Sequence, residues 1–105
     1  MQFVVIAHDA TDDEALNRRM AVRDAHMEGV RVLQKNGQIL FGGAVLDDNE
    51  KMIGSVAIYE FPSREALDAC LAADPYVTGK VWQKIEVQQY RVAPPFVGLK
   101  PAVAV

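Results

Sequence analysis

Extended and helical runs alternate along the chain in the order βαββαβ, and that order leaves few folds open. Gln2–His8, "QFVVIAH", is apolar and β-branched, the pattern of a buried central strand. From Asp13 to about Lys35, Leu16, Met20, Met27 and Val30 recur at helical spacing. Asp9, Thr11 or Asp12 is placed to cap this helix, and the acids Asp12, Asp13 and Glu14 suit the positive end of its dipole. Asn36-Gly37 closes it, with Gly37 as the left-handed residue. Gln38–Leu46 is extended, with a Gly42-Gly43 interruption that marks a bulge or a close approach to the backbone. The turn "DDNEKMIG" leads to Ser55–Phe61, "SVAIYEF", which alternates cleanly. Ser63 then caps a second helix, stopped by Asp74-Pro75 because the residue before a proline is pushed out of the helical region. A short turn, Tyr76–Lys80, precedes a last alternating strand, Trp82–Val92.

This order builds an α+β, ferredoxin-like fold: a four-stranded antiparallel sheet with two helices on one face. The 105 residues suffice for one domain, assigned to residues 1–95, with residues 96–105 as an irregular, proline-interrupted tail. Helices cover one face only, yet Phe3, Val5 and Ile6 in the first strand and Val56, Ile58 and Tyr59 in the third point apolar groups both ways. A second copy of the sheet is the expected cover, which makes the partner a homodimer closing into a barrel-like α+β assembly. Growth into a larger oligomer is left open.

Composition narrows the partners. A formal net charge of −3 argues against a nucleic-acid surface. Cys70 is the only cysteine, so no intrachain disulfide forms, and it reads as a small buried hydrophobe. No apolar stretch approaches the ~20 residues needed to cross a bilayer, and the amino terminus lacks a basic lead. The expectation is a cytoplasmic protein with no membrane partner.

Several polar residues do not fit the core pattern. Counting about 100° per residue from Leu16, Arg23 falls at about 340°, Arg19 at about 300° and His26 at about 280°, in or beside the apolar stripe. An arginine there is costly unless its donors are met. Its ordinary explanation is a stem laid over the core with the head reaching a carboxylate, and a lone His26 reads as a core-edge histidine. Asp74 shifts the balance. Pro75 fixes the backbone at a helix end, so the Asp74 carboxylate is held in place and can orient the His26 imidazole and select its tautomer. His26 then serves as a general base. Tyr76 can donate to developing negative charge, and Arg23 can bind a substrate carboxylate. Taken alone, Asp74-Pro75-Tyr76 is a helix-ending turn. Ser55, at the start of a strand, can face the same pocket. His8 and Asp9 with His26 and Asp74 match no metal-ligand spacing, and no phosphate loop, nucleophile signature or cofactor motif is present. No metal and no cofactor are expected.

The pieces "IAHDA", "RDAH" (Arg23 to His26), "LQKNGQILFGGAV", "GSVAIYEFPSREAL" and "ADPYVTGKVWQKIEVQQY" resemble the YCII-related family over nearly the whole chain. The chain carries Gly43-Ala44 where many relatives have Gly-Pro. The resemblance implies a dimeric α+β barrel similar to muconolactone isomerase. It also implies a site built on a His–Asp pair, here His26 and Asp74, and some relatives look like dehydrochlorinases of chlorinated hydroxyquinols. Two functions follow. One is a cofactor-free lyase or isomerase acting on a small aromatic or enolic acid. The alternative is a non-catalytic dimeric module that binds a small anion, or an accessory protein to another enzyme.

Overall fold

The structure is a computed structural model that describes residues 1–98. Its elements are β1 (Gln2–Asp9), α1 (Ala15–Lys35), β2 (Ile39–Leu46), β3 (Met52–Glu60), α2 (Arg64–Ala73), a single helical turn α3 (Pro75–Thr78) and β4 (Trp82–Tyr90). A 3₁₀ turn, Pro94–Phe96, follows the last strand. The strands form one antiparallel sheet in the order β2-β3-β1-β4, the ferredoxin-like arrangement.

Alternation along β1 sets the two faces. Phe3, Val5, Ala7 and Asp9 are buried on the helix side. Across the ladder, Ser55, Ala57 and Tyr59 of β3 pair with Ala7, Val5 and Phe3, so they share that face. Tyr59, Phe61, Leu67, Leu71, Tyr76, Val81 and Trp82 complete the core beneath the helices. Gly54 lets β1 and β3 approach: a Cβ there would lie 2.5 Å from the Ala7 carbonyl oxygen. On the opposite face Phe41, Val45 and Val56 stay exposed, and His8 binds Glu86 at 3.0 Å among exposed groups.

Several boundaries differ from those read in the sequence. α1 begins at Ala15, after Glu14 and without a side-chain cap. The acids before it meet side chains instead: Arg18 donates to both Asp12 carboxylate oxygens at 2.6 and 2.8 Å, and Asn17 donates to Glu14 at 2.9 Å. β3 starts at Met52, because Asp47 Oδ1 already closes the preceding turn by accepting from the Asn49 and Lys51 amides. The turn expected after Asp74 winds into α3, with Pro75 in its first turn. β4 ends at Tyr90. At the other end of α1, Gly37 has φ +71°, the left-handed value a helix stop favours. Of the assigned tail, residues 99–105 lie outside the described residues.

The inward face of α1 is the larger correction. The sequence stripe centres on Leu16, Met20 and Met27, but Met20 is 51% exposed. Arg19 is buried instead, and Leu16, Val22, Arg23, His26, Met27, Val30 and Leu33 are half-buried. Those residues span about 240° through 0° to about 20° on the same wheel, so the face is turned by about 50° from the centre of the apolar stripe and still includes Leu16, Met27 and Val30. The inward face thus joins part of the apolar stripe to the polar edge that carries Arg19, Arg23 and His26, and both border a cavity.

Candidate functional site

The cavity encloses about 410 Å³ between α1 and the β2–β3 half of the sheet. Its size follows from small side chains. Gly42 and Ala44 of β2 pair with Ala57 and Ser55 of β3, so the floor under α1 is glycine, alanine and serine. Arg19, Arg23, His26, Met27 and Val30 form the helical wall, and Tyr59, Tyr76 and Trp82 stand at the inner side.

Asp74 joins two helices. Its backbone is extended (φ −66°, ψ 133°), which ends α2, and its side chain caps α3 by accepting from the Tyr76 amide at 2.8 Å. The same oxygen, Oδ1, lies 2.8 Å from His26 Nδ1. A carboxylate only accepts, so Nδ1 is the donor and the neutral ring keeps its lone pair on Nε2. Among the described residues Nε2 has no hydrogen bond. Tyr76 stacks on the imidazole with ring centroids 3.7 Å apart and planes 12° from parallel, and the Trp82 edge meets both rings at 5.8 and 5.5 Å. The ring is thus held by one hydrogen bond and two aromatic neighbours.

A second charged pair lies deeper. Arg19 Nη1 donates to both carboxylate oxygens of Asp9 at 3.0 and 3.1 Å, Nη2 donates to Ser55 Oγ at 2.9 Å, and Trp82 Nε1 donates to the same oxygen at 3.3 Å. The guanidinium carbon stands 4.6 Å from the Tyr76 ring centroid. Burial pushes the Asp9 carboxyl up, against the pull of Arg19. Burial likewise pushes up the phenols of Tyr76 and Tyr59, opposed at Tyr76 by Arg19 and Arg23 and reinforced at Tyr59 by the charge of Asp74. Both phenols therefore stay protonated donors near neutral pH.

The structure brings His26, Asp74, Arg23, Tyr76 and Ser55 to one cavity wall or floor, with Asp74 reaching it through His26. Arg23 is half-buried there and forms no ion pair among the described residues. His8 is not part of this group. It lies on the outer sheet face, and Asp9, next in sequence, turns inward to Arg19. Sequence reasoning missed the Asp9–Arg19 pair, Tyr59 and Trp82. The signal for Asp9 was present: the inward positions of β1 run Phe3, Val5, Ala7, and the next is Asp9.

Residues 1–91 match the YCII-related domain. The chain belongs to the YCII-related family. It is 34% identical over 97 residues to Protein YciI of Escherichia coli O6:H1, covering 87% of this chain and 97% of that relative. It is 30% identical, with the same coverage, to an uncharacterized protein of Haemophilus influenzae. Among solved structures it is similar in fold to 5-chloro-2-hydroxyhydroquinone dehydrochlorinase from Burkholderia phenoliruptrix AC1100, in complex with 2,5-dihydroxybenzoquinone. The TM-score is 0.76 at 22% identity, over 89% of this chain and 96% of that one. Muconolactone isomerase gives a TM-score of 0.66 at 19% identity, over 95% and 98%. At those identities the likeness speaks for the fold. Among the described residues no helix is long and apolar enough to cross a membrane.

Proposed function

We propose that this YCII-related protein is a cofactor-free lyase or isomerase that uses the His26–Asp74 pair for acid–base chemistry on a small aromatic or enolic acid. The observation that carries the reading is the 2.8 Å contact from His26 Nδ1 to Asp74 Oδ1, in a ring that borders a cavity of small-molecule size and has Nε2 unbonded among the described residues. Nε2 takes a proton from carbon or oxygen of the guest. Returned to another atom of the same molecule, that proton completes an isomerisation. If the released electron pair instead expels a leaving group such as chloride, the result is elimination, as the name of the dehydrochlorinase suggests for that protein. Asp74 holds the imidazole and stabilises its charged form. Arg23, a cation at the wall that forms no ion pair among the described residues, binds the guest's carboxylate, and Tyr76 donates to the charge that develops.

Screening chlorinated hydroxyquinols and lactones tests this. His26→Ala should keep the fold and lower turnover by about 10²–10⁴-fold. Undiminished turnover in that variant rejects the assignment, and saturable binding without chemical change in the parent protein makes the chain an anion-binding module. The same reading includes a homodimer, in which a second copy covers Phe41, Val45 and Val56 on the outer sheet face. Light scattering should give twice the chain mass for the parent protein and the single-chain mass for Val56→Glu. A monomeric parent protein removes the dimer from the proposal.

A further inference from the structure

The hydroxyl of Ser55 has its polarity decided by its neighbours. Its Oγ receives hydrogen bonds from Arg19 Nη2 at 2.9 Å and from Trp82 Nε1 at 3.3 Å. Guanidinium and indole nitrogens donate and never accept. A hydroxyl has two lone pairs and one hydrogen, so both lone pairs are taken and only the hydrogen is left to give. Among the described residues no acceptor receives it, and Ser55 lies on the cavity floor.

The arrangement is held firmly. Arg19 cannot swing away, because Nη1 is fixed on both oxygens of Asp9 and the guanidinium lies against the Tyr76 ring. Its Nε is buried without any partner, the sole such side-chain nitrogen or oxygen among the described residues. An orphaned buried donor is costly, and a core built for stability alone would avoid it. Here it accompanies the geometry that aims Nη2 at Ser55.

We propose that Ser55 is an oxyanion donor of this site, its hydrogen turned into the cavity by Arg19 and Trp82, so that the guest atom beside it is an acceptor: a carbonyl, enolate or phenolate oxygen. Asp9, Arg19 and Trp82 are positioning residues that act through Ser55. The assignment rests on the proton-transfer reading for the identity of the cavity as the substrate site, and it deepens that reading. When His26 takes a proton from a guest conjugated to a carbonyl, negative charge collects on oxygen. A donor that is already in place and backed by a buried cation meets that charge without reorganising.

Two probes of one shape and opposite polarity test this: 4-nitrophenolate, which accepts at its terminal oxygen, and 4-nitroaniline, which donates at its terminal nitrogen. Titration at a pH where the phenol is ionised should show the phenolate bound tighter by about tenfold or more, the worth of a charge-assisted hydrogen bond. Ser55→Ala should lower the ratio by about tenfold, leaving the preference that the Arg23 cation gives any anion, and Ser55→Thr should preserve it. Trp82→Phe, which frees a lone pair so that the hydroxyl can also accept, should narrow the ratio and gives a second readout if Ser55→Ala fails to fold. Equal binding of the two probes, no binding of the phenolate, or an unchanged ratio in Ser55→Ala or in Trp82→Phe overturns the proposal. His26→Ala separates this proposal from the reading it rests on. That variant should keep the probe ratio, so turnover surviving in it with the ratio intact removes the general base and leaves the Ser55 donor standing. Turnover lost in it with no probe preference in the parent protein does the reverse.

Discussion

Two charge pairs border the same cavity and are built in opposite ways. Arg19 and Asp9 have side chains only 3% exposed each, and three hydrogen bonds hold the guanidinium in place. His26 and Asp74 are 11% exposed each, and a single bond joins them, with Nε2 unbonded among the described residues. The first pair is sealed. Its cation is a fixed charge that can polarise a neighbour but cannot trade protons with a guest. The second reaches the cavity through a group that can both take and return a proton. Arg19 and His26 lie seven residues apart on one helix, two turns along the same face. A single inward edge of α1 thus supplies both a permanent charge and a titratable one, beside the apolar Met27 and Val30.

The sharpest way to break the comparison is to remove the acid of the sealed pair. Asp9→Ala leaves Arg19 buried without a counter-charge and should cost about 3–5 kcal/mol. In a domain of this size that lowers Tm by about 15–30 °C. Urea unfolding is the check, and a loss below about 1 kcal/mol would show that water or a shifted side chain compensates the arginine.

Asp74→Asn should give the inverse pattern. Asparagine can still cap α3 by accepting from the Tyr76 amide, so stability should change by no more than about 1 kcal/mol. Under the proposed mechanism turnover should fall by about 10²–10⁴-fold, because a neutral amide no longer stabilises the charged imidazole. Urea unfolding and kcat on the same preparation separate the two effects. If Asp74→Asn unfolded as readily as Asp9→Ala, the two pairs would not differ in kind.

Legibility in the sequence followed from which interactions are local. The βαββαβ order could be read because alternation, Gly37 and the Asp74-Pro75 stop are properties of neighbouring residues. Asp74 was conspicuous for the same reason: a proline after an acid dictates an extended backbone at that acid wherever the chain goes next. The direction in which α1 faces was not local. A wheel centred on the most apolar residues misses that a site puts Arg19, Arg23 and His26 at inward positions, so the inward face is shifted towards them: Leu16, Met27 and Val30 stay half-buried and Met20 is left exposed. The Asp9–Arg19 pair spans a strand end and a helix, and only the alternation of β1 hinted at it. In the sequence Ser55 is a strand-start serine that can face the same pocket, with nothing nearby to say what holds it there. Its importance comes from Trp82, twenty-seven positions away, and from Arg19, thirty-six positions away, which no short pattern connects.

A third pair sets the exposed limit of the comparison and gives the smallest expected effect. Arg18 holds Asp12 through two hydrogen bonds at the protein surface, where the side chains are 34% and 52% exposed. Those bonds, and secondarily the charge of Arg18, draw the Asp12 carboxyl down from 3.8 to about 2. The folded value lies below the unfolded one, so the pair contributes stability above a pH of about 3.8 and loses it as pH falls towards about 2. An NMR titration should place the Asp12 midpoint near 2 in the parent protein and near the ordinary carboxylate value in Arg18→Ala. Stability at neutral pH should drop only slightly in that variant, and less still in high salt, since exposed pairs are screened while sealed ones are not. The same salt should leave the cost of Asp9→Ala largely unaltered. Equal salt sensitivity at Asp9 and Asp12 would mean that the deeper pair is reached by solvent, and the contrast between a sealed charge and an open one would fail.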